Sequence, residues 1–243
     1  MNALFKKEIS SFLASVPGYI AMSVFLVTTS LFLWVFPNEF NILDFGYSQL
    51  DSLFVVAPVI FLFLIPAITM KSFAEENKTG TIELLLTKPL SDISIIMAKF
   101  WASFVLFTIA ILPTVIYYIS IYYLGFPKGN IDTGAVIGSY VGLLFTGGVL
   151  ISVGLFASSI SNNQIIAFLL SVFISGFLLI GFEYIYNFSL FGDFDLLLKS
   201  LGIMEHYSSI SRGVIDTRDV IYFLSATSLF LLLTKLSLES RKW

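Results

Sequence analysis

Between Asp132 and Glu183 the chain carries no charged side chain. About a quarter of a soluble domain is charged, so an uncharged run of this length cannot lie along a water-exposed surface. It is also too long for one membrane-crossing helix, which needs roughly 20 mostly apolar residues. The polar patch Ser161-Asn162-Asn163-Gln164 divides it into spans near 134–158 and 165–188. The same reading applied elsewhere gives Pro17 to Phe36, Leu53 to Met70 with Pro58 and Pro66 inside it, Phe100 to Leu124, and Val220 to Lys235. Of the 243 residues, 57% are hydrophobic and 12% charged, more apolar surface than a soluble core of this size can hide. The expected fold is an all-α membrane protein, a single domain over 1–243 with six transmembrane helices.

Smaller signals sit around these spans. Phe5, Ile9, Phe12 and Val16 recur at helical spacing beside Lys6, Lys7, Ser10 and Ser11. That pattern predicts an N-terminal interfacial amphipathic helix over 1–16. Gly134, Gly138 and Gly142 form a doubled small-xxx-small stripe, expected to bring helices close within the subunit rather than to form a dimer seam. Glu183, near the outer end of the fifth span, is a candidate intramembrane polar site, or else reaches the headgroups beside Tyr184 and Tyr186. His206 is the only histidine, and a metal site needs three or four ligands, so no metal is expected and a structural role is.

Several chemistries are absent. There is no cysteine, which excludes disulfides and thiolate chemistry. No phosphate-binding G-x-x-x-x-G-K-[ST] run, nucleophile elbow, zinc-protease helix or dinucleotide fingerprint occurs. The net charge of −3 is scattered and gives no nucleic-acid footprint. The chain reads as no enzyme and as binding no cofactor of its own, so energy for any work comes from a partner or an ion gradient.

Lysine and arginine set the expected orientation. Lys6, Lys7, Lys71, Lys78, Lys88, Lys99, Lys235, Arg241 and Lys242 fall on one side of the six spans, and Lys128, Lys199, Arg212 and Arg218 on the other. Both termini and the 71–99 loop are therefore expected in the cytoplasm, and the 189–218 segment outside.

That loop is the long charged stretch between apolar runs, and by spacing alone it reads equally as a docking place for a soluble partner or as an ordinary solvated loop. Its acidic and basic residues Glu75, Glu76, Lys78 and Glu83 offer polar contacts. Gly80 permits backbone angles other residues avoid. Ile82, Leu85 and Leu86 form a short apolar face, Pro89 stops the helix, and Ser91 or Asp92 can cap the next one. The run Glu75-Glu76-Asn77-Lys78-Thr79-Gly80-Thr81-Ile82-Glu83 through Pro89-Leu90 closely resembles the cytoplasmic signature of ABC-2 type transporter permeases. The start KKEISSFLASVPGYI, the segment EHYSSISRGVIDTRDVIYFLS and the end LFLLLTKLSLESRKW are similar to the corresponding parts of the same family. Within it, the order of motifs is most like the gliding-motility-associated permeases, with sodium-efflux and nitrous-oxide-reductase accessory permeases as close cousins. The resemblance implies a bacterial inner-membrane subunit of an exporter linked to gliding motility, which pairs as a homodimer or heterodimer and sits on separate ABC ATPase subunits that bind the ATP and Mg; the alternative is a membrane scaffold of a motility or secretion complex that moves no solute. It implies an ATPase-coupling interface at Glu75, Glu76, Lys78, Gly80, Thr81, Glu83, Leu85, Leu86 and Pro89. It further implies a smaller second cytoplasmic contact at the Ser161–Gln164 turn, and 189–218 resembles the family's re-entrant stretch, although its charges let only part of it enter lipid.

Overall fold

In the computed structural model, residues 1–86, 91–188, 192 and 195–240 are described, with the backbone alone at Phe45 and Leu84 to Leu86. Helices α1 (Asn2–Leu13) and α2 (Val16–Ser30, continued by a π turn at Leu31–Val35) are followed by the short α3 (Ile42–Phe45) and by α4 (Asp51–Thr69). Next come α5 (Ala74–Thr79), α6 (Thr81–Leu86), α7 (Asp92–Ile111) and α8 (Val115–Leu124). The remainder is α9 (Thr133–Ile160), α10 (Gln164–Gly176, with a π turn at Phe177–Gly181), α11 (Phe182–Asn187), α12 (Asp195–Lys199), α13 (Ile203–Ser211) and α14 (Thr217–Glu239). Among the described residues, six helical stretches are long and apolar enough to cross a membrane: α2 with its π turn, α4 continued through α5, α7 with α8, α9, α10 with α11, and α14.

Local chemistry explains where these helices begin. Ser15 accepts from the Gly18 N–H and Pro17 sits in the first turn of α2, a position where its missing N–H costs nothing. That break separates α1 from the first span, so Val16, expected on the amphipathic face of α1, belongs to α2 and is exposed. Ser91 caps α7 by accepting from the Ser94 N–H, and α7 therefore starts well before Phe100, the expected beginning of the third span. Pro113 loosens the α7–α8 junction into a 3-10 turn.

Spans four and two form the centre. In α9, 78% of the most apolar window is buried, against 11% in α14. Helix α9 touches α4, α7, α10, α13 and α14. Phe61 on α4 stacks edge-on against Phe107 of α7 and tilts against Phe25 of α2, tying three spans through buried aromatic rings. The outer faces of α2, α10 and α14 stay apolar and exposed, as lipid-facing surfaces do.

The glycine stripe of α9 faces α13. A Cβ at Gly138 would lie 2.8 Å from Gly213 Cα and from the Ile210 carbonyl oxygen, and one at Gly142 would lie 3.1 Å from the Tyr207 ring. At Gly134 the near neighbour is Asp132, although its backbone borders Gly213. The stripe thus seats the short helix α13 rather than another of the long apolar helices. Tyr207, buried, donates from its hydroxyl to the Phe54 carbonyl at 2.7 Å, pinning α13 to α4.

Candidate functional site

Helices α5 and α6 form the hairpin read from the charged loop. Gly80 joins them in the left-handed region at φ 70°, where a side chain is strained. Glu75, Lys78, Gly80, Thr81 and Glu83 are exposed, whereas Glu76 and Ile82 are buried. The expected contact set therefore divides. Glu76 points inward and is not a surface contact, and Ile82 packs into the hydrophobic core instead of offering an apolar edge. Leu85 and Leu86 close α6 by their backbone, and Pro89 lies outside the described residues.

The inward face is fixed to three elements. Lys99, on α7 and 1% exposed, places its Nζ 2.9 Å from Glu8 Oε1 and 3.0 Å from Glu76 Oε1. It also donates to the Ser72 carbonyl at 2.6 Å and lies 4.9 Å above the Phe73 ring. Three oxygens thus meet the three N–H donors of an ammonium. Lys7 on α1 adds contacts of 3.2 Å to Glu8 and 3.1 Å to Glu76. Burial opposes the charge on Lys7, but the Glu8 and Glu76 carboxylates outweigh it and hold the ammonium above the usual lysine value. Two ammonium and two carboxylate groups balance, which lets a buried cation persist. Beside this cluster lies a polar cavity of about 370 Å³, lined among others by Ser11, Lys71, Glu75 and Ser103.

The third attachment is to the end of α9. Ser158 Oγ accepts from the N–H groups of Phe73 and Ala74, each at 3.0 Å, and donates to the Met70 carbonyl at 3.1 Å. Asn77 Nδ2 donates to the Ser159 and Ser161 carbonyls at 3.2 and 3.0 Å. Those carbonyls sit at a helix C-terminus, where intrahelical partners run out. The Ser161–Gln164 turn is thereby brought against the hairpin.

The family model described as ABC-2 family transporter protein matches residues 3–237. The chain belongs to this family. No curated protein matches it at a significant level.

Four residues that hold the inner face of the hairpin were not singled out as site residues in the sequence: Lys7, Glu8, Lys99 and Ser158. Lys99 carried the available signal. It interrupts the run Ile95-Ile96-Met97-Ala98 and Phe100-Trp101, and a cation so placed requires a partner. Nothing local identifies Glu8 as that partner, because it is 91 residues away.

At the opposite end, Glu183 is exposed on α11 and borders a cavity of about 190 Å³ with Lys199 and Glu205. Lys199 pairs with Glu205 at 3.0 Å, and the hydrogen bond and charge of that carboxylate hold its ammonium above the usual value. Glu183 thus stands at a charged rim. His206 lies between Asp219 Oδ1, 2.7 Å from Nδ1, and the Ser200 carbonyl, 2.9 Å from Nε2, with its ring stacked on Tyr222 at 3.9 Å. It joins α13 to α14. No group of three or more metal-ligating side chains occurs among the described residues.

Proposed function

We propose that this permease is the membrane subunit of an ATP-driven transporter and receives a separate ABC ATPase on the exposed face of α5 and α6. The observation that carries this reading is the division of the hairpin. Glu75, Lys78, Thr81 and Glu83 are left to solvent, while Glu76, Asn77 and the Phe73–Ala74 backbone are held by α1, α7 and α9. A push on the outer face is then delivered to three elements together. Lys99 acts as a positioning residue, since it touches no partner and holds Glu76 and Glu8 in one place.

In this reading ATP and Mg are bound by the partner, the hairpin end with both termini faces the cytoplasm of a bacterial inner membrane, and two membrane subunits pair through their exposed apolar spans. The export role in gliding motility rests on the wording of the hairpin and of the 205–225 segment. Loss of gliding on deletion, restored by this gene and not by a sodium-efflux relative, tests it. The ATPase assignment is tested by co-purification with an ABC ATPase from the same cells. Reversing the charges of Glu75, Lys78 and Glu83 together is expected to abolish co-purification with the melting temperature unchanged, and full retention of the ATPase would overturn the assignment.

A further inference from the structure

Two cavities on the lipid-facing surface form one groove. The upper, about 460 Å³, lies between α7, α9 and α14 and is walled by Phe100, Trp101, Phe104, Leu144 and Phe145. The lower, about 240 Å³, lies between α7 and α14. They share Met97, Ser228 and Leu231. The stacked rings of Phe145 and Phe223, 5.6 Å apart, border the upper end. Lys235 borders the lower end, on the side of the molecule where α1 and the hairpin lie.

The length of this groove matches one leaflet. From Phe223 to Lys235 the helix advances about 18 Å at 1.5 Å per residue, and half of a hydrocarbon core is about 15 Å. The wall is almost wholly apolar, and the mouth is charged with both signs: Lys235 Nζ lies 3.4 Å from Glu239 Oε1, and both side chains are partly exposed. An apolar slot one leaflet deep, ending in an adjacent cation and anion, is complementary to a phospholipid with a primary ammonium headgroup. We propose that the groove binds phosphatidylethanolamine, one acyl chain lying between α7 and α14, the phosphate on Lys235 and the ammonium on Glu239.

Glycine 148 provides a way to fill the slot. A Cβ there meets no atom of another helix nearer than Phe104 at 3.8 Å and Thr227 at 3.9 Å, ordinary contact distances, so Gly148→Leu starts from an unstrained Cβ on the groove wall. Ser228→Trp, at an exposed position shared by both cavities, fills it from the other wall. The test is native mass spectrometry of the full chain, stripped of lipid in detergent and offered dioleoyl phosphatidylethanolamine, phosphatidylglycerol or phosphatidylcholine separately. Wild type is expected to retain the ethanolamine lipid best. Lys235→Gln is expected to weaken that retention by roughly fivefold, the scale of an exposed ion pair. Glu239→Gln is expected to erase the preference over phosphatidylglycerol, and both groove-filling variants to lower retention of all three lipids while melting as wild type does. Equal retention of the three lipids by wild type, or undiminished retention in whichever groove-filling variant folds, would overturn the proposal.

Discussion

Lys99 is the residue on which the inner face of the hairpin depends. Removing one partner of a buried, hydrogen-bonded ion pair leaves the others uncompensated, at a cost of roughly 3–5 kcal/mol. Lys99→Met is therefore expected to lower unfolding stability by that amount, read by denaturant unfolding in detergent, whereas Lys78→Met on the exposed face changes little. Equal effects of the two would remove Lys99 from its place at the centre. Lys7 gives the cluster a pH dependence of known sign. Its ammonium is stabilised in the folded state, so its contribution is complete below the unfolded lysine value of about 10.4 and is lost as pH rises through the higher folded value. The melting difference between wild type and Lys7→Met is expected to be present, though small at so exposed a site, near neutral pH and to vanish in strong alkali. A difference that grows with alkali would contradict it.

At the scale of elements, the hairpin is held by hydrogen bonds as well as charge. Ser158→Ala leaves the buried N–H groups of Phe73 and Ala74 without their acceptor, a loss of roughly 1–3 kcal/mol for each group. Hydrogen exchange over 73–77 is expected to quicken while the middle of α10 keeps its protection, and unchanged exchange at 73–77 would discount the Ser158 contact. Gly80 sets the turn between α5 and α6. Gly80→Val is expected to reduce transport-coupled ATP hydrolysis, and Gly80→Asn to retain more of it, because asparagine tolerates positive φ better than a β-branched residue does. Equal activity of the two would assign no role to that geometry. The helices themselves were legible in the chain, since uncharged runs, Ser91 and the break at Pro17 are local signals. Their partners were less so. The stripe through Gly138 and Gly142 announces close approach but not that α13 makes it, because α13 is short, polar in part and distant in sequence.

For the whole molecule, a central pair of spans carries two different ends. One holds α13 against α4 and α9 through Tyr207, Gly138 and the His206–Asp219 contact to α14. The other holds the hairpin, α1 and the end of α9 around Lys99 and Ser158. Composition and the charged loop made the membrane class and the location of the hairpin readable. The sorting of its residues into an inner and an outer face was not readable, because Glu75 and Glu76 are adjacent and chemically alike and differ only in which way the helix turns them. The absence of native cysteine makes single-site attachment straightforward. A photocrosslinker placed at position 83 on the hairpin is compared with one at position 43, exposed on α3, in membranes containing the ATPase. The account predicts a crosslink to the ATPase from 83 and none from 43, whereas a crosslink from 43, or none from 83 in a complex that still hydrolyses ATP, would contradict it.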